Sequence, residues 1–255
     1  MYHVRPDTVR LYTYGDRIKA VYFKAGVRRR RDDVGLLAGA AGVAPDGKLT
    51  NSISRSRRRV YELAACNPWD WFATLTIDGD KLARNDLVAF RKSFAQWIRN
   101  QCKKHNCSIK YLLVPELHKD GQNWHMHGLF HGLPEGQTPP FVAGQAPQRL
   151  IDAGYHNWPA YAEKYGYVSM GKIRDPAAVA GYIAKYISKD IGAADAIGSG
   201  QHLYYASQGL QCAALRAEGR ISVDALDQLR AEGWENDYCI IRWYDADETP
   251  LIVIE

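Results

Sequence analysis

Two histidines one strand step apart are the first residues of this sequence that could bind a metal. In residues 124–130, His125 and His127 alternate with Trp124, Met126 and Phe130. Alternate side chains of a β-strand share a face, so both imidazoles are expected on one side and the apolar anchors on the other. This pattern predicts a bidentate metal site, although two surface histidines on an edge strand fit it as well.

A carboxylate at the end of the preceding segment could complete that site. Residues 111–116 are apolar, as in a buried strand, yet end in Glu116. Residues 119–123 are polar and turn the chain back, so an antiparallel pair would bring Glu116 near His125 or His127. Two imidazoles and one carboxylate, with water and phosphate in the remaining positions, suit Mg²⁺ or Mn²⁺. His118 and His131 are rival ligands and rank below Glu116.

A third group of reactive side chains lies on a predicted helix over residues 181–190. Tyr182, Lys185, Tyr186 and Lys189 follow one another at helical spacing and share one face. A phenol, with a usual pKa of about 10, becomes an effective nucleophile only where its phenolate is stabilised. A cation on the attacked phosphate and a nearby ammonium would both help. Taken alone, the pattern fits an ordinary amphipathic helix equally well.

The segments around these residues predict an α+β fold. The order after residue 70 is β-α-β-β-β-α, which indicates an antiparallel sheet with helices packed on it. A five-turn amphipathic helix is expected where Leu87, Phe90, Phe94, Trp97 and Ile98 recur. Residues 133–160 are rich in proline and glycine and predict a long loop or insertion. Further on, an Asp-Pro pair at residues 175–176 predicts the start of the last helix.

Composition and charge point to a cytoplasmic protein with a nucleic-acid partner. Five cysteines without a CxxC pair argue against a disulfide framework, and no apolar run is long enough to span a bilayer. Residues 1–64 carry 14 Lys and Arg against 6 Asp and Glu, whereas residues 193–255 carry 4 against 11. Basic segments attract phosphate backbones. The predicted contacts are two arginine runs: Arg28, Arg29, Arg30, Arg31, and Arg55, Arg57, Arg58, Arg59.

Three ordered motifs together resemble the HUH endonuclease superfamily, in particular two-tyrosine rolling-circle replication initiators of bacteriophages and plasmids. The first motif is residues 72–76, and the second is Glu116 followed by the two histidines. The third is the doubled Tyr-x-x-Lys of residues 182–189. The resemblance covers roughly residues 67–192, about half of the chain.

The resemblance implies a ferredoxin-like core with a central antiparallel sheet flanked by helices. It also implies that His125, His127 and Glu116 hold Mg²⁺ or Mn²⁺ against a scissile phosphate. Tyr182 and Tyr186 would be the nucleophiles, giving a 5′-phosphotyrosine and a free 3′-hydroxyl. Lys185 and Lys189 would be phosphate or charge partners.

The expected organisation is a basic N-terminal extension (1–64), an endonuclease core (65–192) and an acidic C-terminal extension packed on the core (193–255). The expected partners are single-stranded DNA at an origin or hairpin and a host polymerase in a bacterial cytoplasm, with no membrane. The sequence lacks a GxxxxGK[ST] loop, so a separate helicase is expected.

Other functions remain open at this stage. A relaxase or a transposase would use the same chemistry, and a non-cutting nucleic-acid-binding module could keep the fold. A cupin-type metalloenzyme is discounted, because no glutamate stands four or five residues after His127.

Overall fold

The structure, a computed structural model, describes residues 3–5, 8–24, 27–29, 48–187, 202–220, 232–237 and 239–246. The chain forms two compact units, one of residues 42–210 and one that combines residues 1–41 with residues 211–255. Within the described ranges, no helix has both the length and the apolar character needed to cross a membrane.

The described residues contain five helices and twelve strands. The helices are α1 (Lys48–Ala65), α2 (Leu87–His105), α3 (Gln148–Asp152), α4 (Pro159–Lys164) and α5 (Pro176–Tyr186). The strands are β1 (His3–Arg5), β2 (Thr8–Tyr14), β3 (Arg17–Phe23), β4 (Val27–Arg29), β5 (Trp71–Thr76), β6 (Lys110–Leu117), β7 (Trp124–His131), β8 (Val168–Lys172), β9 (Tyr205–Ala206), β10 (Ala214–Arg220), β11 (Glu232–Glu235) and β12 (Cys239–Asp245).

The central sheet of the larger unit has the strand order β8-β5-β7-β6-β9, and all neighbouring strands are antiparallel. Strands β5 and β6 run parallel with β7 between them, so β5-α2-β6 is a split β-α-β unit. With β7, α4 and β8 it completes the β-α-β-β-α-β order of a ferredoxin-like fold. The α+β prediction with a central antiparallel sheet flanked by helices is confirmed.

One face of this sheet packs against α2 and α4. Helix α2 begins after Asp86, whose side chain accepts a hydrogen bond from Ala89 N at 2.8 Å. The predicted five-turn helix is confirmed, and its buried residues are those that recur at helical spacing: Leu87, Phe90, Phe94, Trp97 and Ile98. They pack on the β-strand residues that alternate with the histidines, including Met126 and Phe130.

Helix α4 corrects the prediction of a loop or insertion over all of residues 133–160. Trp158, Tyr161 and Tyr165 are buried at helical spacing in the core shared with α2. Pro159, which suggested a loop, occupies the first turn of α4. The missing amide hydrogen of proline is tolerated there, because amides of the first helical turn have no partner within the helix.

The opposite face of the central sheet packs against α1 and α5. Val60 of α1 and Ile183 of α5 are fully buried on Leu112, Val114 and Leu129 of the sheet. The same face carries the candidate site and is called the site face below; its polar and aromatic members are Phe72, Thr74, Thr76, Glu116, His125 and His127.

Strands from both ends of the chain form the sheet of the smaller unit, in the antiparallel order β10-β2-β3-β12-β11. Its core includes Val9, Ile18, Tyr22, Ile240 and Tyr244. Strands β1 and β4 form a separate two-stranded sheet. Parts of the two predicted extensions therefore pair with each other. The packing of residues 193–255 on the core stays a prediction.

Candidate active site

The β6–β7 hairpin sets Glu116 beside the two histidines. In its register Glu116 is the direct partner of His125, and Val114 is the partner of His127. The turn is closed by a hydrogen bond from His118 N to Asn123 O at 2.7 Å, and Gly121 supplies its positive φ of 71°. Alternation along each strand then places the carboxylate and both imidazoles on the site face.

The carboxylate contacts the diagonal histidine rather than its direct partner. Glu116 Oε2 lies 2.6 Å from His127 Nε2. His127 is only 7% exposed, and Glu116 is partly buried beside it. A charge-assisted hydrogen bond at this depth holds both groups in one orientation.

Two threonines of β5 contact the histidines from the other side. Thr74 is the strand partner of His127 and Thr76 is the partner of His125. Thr74 Oγ1 lies 3.3 Å from Nδ1 of His127, and Thr76 Oγ1 lies 3.1 Å from Nδ1 of His125. The sequence contains both residues in its first motif, but it does not reveal this role. The signal is their alternation on a strand that pairs with the histidine strand.

Helix α5 places two tyrosines over this face. It begins as predicted, with Asp175 accepting a hydrogen bond from Ala178 N at 2.9 Å and with proline in the first turn. The Tyr186 ring stacks on the His127 ring, with centroids 3.9 Å apart and planes 21° from parallel. Tyr186 donates a hydrogen bond to the Tyr182 hydroxyl at 2.7 Å, and Tyr182 is 48% exposed. One phenol is thus packed on the histidine and the other faces outward.

Phe72 forms the floor under both tyrosines. Its ring centroid lies 5.2 Å from that of Tyr182, 6.4 Å from that of Tyr186 and 5.9 Å from that of His127. The alternation of β5 places Phe72 on the site face, one strand step from Thr74. Its hydrophobic character gives no hint of this position, which depends on how α5 packs on the sheet.

Burial shifts the pKa of two of these groups. It lowers the pKa of His125, aided by His118, His127 and Arg84 and opposed by Glu116. A neutral imidazole is the form that binds a metal. Burial also raises the pKa of Tyr186 well above its ordinary value, and the hydrogen bond to Tyr182 adds to the rise. Tyr186 therefore remains protonated and acts as a hydrogen-bond donor.

The donor chemistry fits a divalent cation. Two imidazoles and a carboxylate lie on one face, and both Nδ1 atoms contact hydroxyls, which leaves Nε2 as the nitrogen for a metal. Among the described residues, no three His, Cys, Asp or Glu side chains converge in the geometry of a formed metal site. The contact between Glu116 and His127 must therefore open for both to bind one ion.

The rival ligands lie in other surroundings. His118 contacts Asp120, with Nδ1 and Oδ2 3.2 Å apart, and its ring centroid lies 5.0 Å from that of His125. His131 lies at the far end of β7, where its Nδ1 is 3.0 Å from Asp70 Oδ2. His118 is therefore the nearer of the two rivals.

The predicted basic residues are distributed over three places. Lys185 is exposed on α5, and Lys189 lies outside the described residues. Of the first arginine run, Arg28 and Arg29 belong to β4, and Arg30 and Arg31 lie outside the described residues. The second run lies on α1: Arg55, Arg57 and Arg58 are exposed, and Arg59 forms an ion pair with Glu62 at 3.0 Å.

Comparison with known proteins gives one family. Residues 70–191 match the family described as replication-associated protein ORF2. The matched segment contains β5, the β6–β7 hairpin and α5, and therefore every residue of the site face described above. No curated protein and no solved structure matches the chain. The family match supports a role in replication initiation.

Proposed function

We propose that this chain is a metal-dependent HUH endonuclease of the two-tyrosine type, which nicks single-stranded DNA to initiate rolling-circle replication. The observation that carries the proposal is the stack of Tyr186 on His127, with Tyr182 hydrogen-bonded beside it. Two phenols thereby lie next to a pair of imidazoles and a carboxylate. The match to a replication-associated family is a second, independent support.

In the proposed reaction a phenol oxygen attacks the scissile phosphorus. The bond from phosphorus to the 3′-oxygen breaks, the phenol loses its proton, and the 3′-oxygen gains one. The products are a 5′-phosphotyrosine and a 3′-hydroxyl from which a host polymerase can extend. The second phenol, one helical turn away, can attack in a later transfer that closes the displaced strand.

His125, His127 and Glu116 are the residues that would hold Mg²⁺ or Mn²⁺. A bound cation would withdraw charge from the scissile phosphate and make the phosphorus more electrophilic. Lys185, exposed on α5 one residue before Tyr186, is placed to contact a phosphate. A separate helicase would supply the single strand.

A covalent adduct is the test of this proposal. The full-length protein is incubated with Mn²⁺ and labelled single-stranded oligonucleotides, including hairpins, and then run on a denaturing gel. We expect a slower-migrating labelled protein that is lost with a chelator and in the double variant Tyr182→Phe/Tyr186→Phe. DNA binding without any adduct would support the non-cutting module instead, and an adduct that persists in the double variant would place the nucleophile elsewhere.

A further inference from the structure

We infer that Thr74 and Thr76 are positioning residues, each of which orients one histidine so that its Nε2 can bind the cation. This inference rests on the proposed function for the identity of the ligand. It concerns two residues of β5 for which the family match assigns no role. It begins from the register of two strands.

The same contact occurs twice along the β5–β7 pair. Thr74 is opposite His127 and Thr76 is opposite His125, and all four side chains lie on the site face. In both pairs the threonine Oγ1 meets the same ring nitrogen, Nδ1, at 3.3 Å and 3.1 Å. A repeated contact at the same atom, one strand step apart, orients the two rings alike.

The contact decides which nitrogen is left for a ligand. A metal-bound histidine usually donates the hydrogen of its other nitrogen to a neighbouring acceptor, which fixes the tautomer and the ring orientation. Here that acceptor would be a threonine oxygen. Nε2 of His127 faces Glu116, and Nε2 of His125 has no hydrogen-bond partner among the described residues.

A hydroxyl suits this position better than a carbonyl or a carboxylate. A threonine oxygen can accept from an Nδ1 hydrogen, and its own hydrogen can be donated to a bare Nδ1. While Nε2 of His127 donates to the Glu116 carboxylate, a neutral ring needs a donor at Nδ1. When Nε2 binds a cation, the ring needs an acceptor there. Thr74 can serve both tautomers without moving.

The variants separate this role from the preference of threonine for β-strands. Thr74→Val and Thr76→Val keep the shape and the strand propensity but lose the hydroxyl. Thr74→Ser and Thr76→Ser keep the hydroxyl. Ser169→Ala is the matched control, because Ser169 is a buried hydroxyl residue paired with Thr74 on its other side.

Two measurements on the full-length protein test the inference. The first is the long-range ¹H–¹⁵N NMR spectrum of the histidine rings without added metal, which reports the tautomer. We expect both valine variants to change the tautomer populations of the facing histidine, whereas the serine variants and Ser169→Ala resemble the wild type. The second is Mn²⁺ affinity, measured from the electron paramagnetic resonance signal of free Mn²⁺.

We expect each valine variant to weaken Mn²⁺ binding by about tenfold or more, the range found for residues that support metal ligands, with the serine variants near wild type. Valine variants that fold, keep the wild-type tautomers and bind Mn²⁺ normally would overturn the inference. If the wild type binds no Mn²⁺, the metal-dependent function fails. The tautomer spectra then decide separately whether the threonines orient the rings.

Discussion

The ring of Tyr186 lies against the ring of His127 with centroids 3.9 Å apart and nearly parallel planes. A candidate nucleophile on α5 and a candidate metal ligand on β7 are therefore held by one contact. The Tyr186 hydroxyl is in turn hydrogen-bonded to Tyr182 at 2.7 Å. A change in any one of the three rings is expected to affect the other two.

This relationship predicts that Tyr182 makes the first cut. Tyr182 is 48% exposed, so a DNA strand can reach its oxygen, and that oxygen accepts the hydrogen bond from Tyr186. We expect Tyr182→Phe to abolish most of the first cleavage. We expect Tyr186→Phe to slow it by about tenfold, because a hydrogen bond to a developing charge contributes about 1.5 kcal/mol or more. Single-turnover cleavage of a labelled oligonucleotide measures both rates.

The opposite ranking of the two variants would give the first cut to Tyr186. Since Tyr186→Phe keeps the ring on His127, the fold provides its own control, and both variants should melt within a few degrees of the wild type. Mass spectrometry of the adduct in each single variant identifies the tyrosine that reacted.

The second prediction concerns the carboxylate. Glu116→Gln retains the size of the side chain and an oxygen that can accept from His127, but removes the negative charge. We expect the Mn²⁺ concentration required for half-maximal nicking to rise by about tenfold or more, because hard divalent cations prefer charged oxygen ligands. Glu135→Gln, at an exposed loop carboxylate, is the control. An unchanged Mn²⁺ requirement in Glu116→Gln would remove Glu116 from the ligand set.

The third prediction concerns the basic surface of α1. Arg55 and Arg58 are exposed there and one helical turn apart. If each neutralises one DNA phosphate, the double variant Arg55→Ala/Arg58→Ala lowers the slope of log affinity against log salt by about 1 to 2. Fluorescence anisotropy with a single-stranded oligonucleotide at several salt concentrations measures the slope.

Arg99→Ala is the matched control, because Arg99 is an exposed arginine of α2, which packs on the other face of the central sheet. Equal effects of the two variants would mean that α1 has no special role in binding. Point variants are preferable to deleting residues 1–60, since Ile53 and Val60 of α1 belong to the core under the site face.

The local parts of this fold could be predicted from the sequence because each has a periodic signature. The hairpin of β6 and β7, the amphipathic α2 and the capped start of α5 are of this kind. The pattern also placed Glu116 near one of the two histidines. It could not say that the direct strand partner is His125 while the hydrogen bond goes to His127, because this depends on side-chain reach across a diagonal.

Contacts between distant segments have no such signature. The sheet of the smaller unit pairs β2 and β3 with β10 and β12, about two hundred residues further along the chain. The contacts of Phe72 with the tyrosines likewise depend on how α5 packs on the sheet. The proposed roles of the tyrosines, histidines, Glu116 and lysines remain predictions for the experiments above.

The last prediction uses a glycine between the site and the core. Gly128 follows His127 on β7, and a Cβ there would overlap Leu113 Cδ2 and lie 3.0 Å from Phe130 Cε2. The surrounding core is buried on all sides, so neither neighbour has free space to move into. We expect Gly128→Ala to destabilise the fold by about 1–3 kcal/mol, as overpacking of a core does, and to lower Mn²⁺ affinity by displacing β7.

Gly181→Ala is the companion variant, because Gly181 lies in α5 and a Cβ there would meet nothing within 4 Å. Alanine has the higher helix propensity, so this variant should be as stable as the wild type or up to about 1 kcal/mol more stable. Thermal and urea unfolding of both proteins measure the difference. If Gly128→Ala is as stable as Gly181→Ala, the packing between β6 and β7 is looser than these contacts indicate, and the histidines are held chiefly by their hydrogen bonds to Thr74, Thr76 and Glu116.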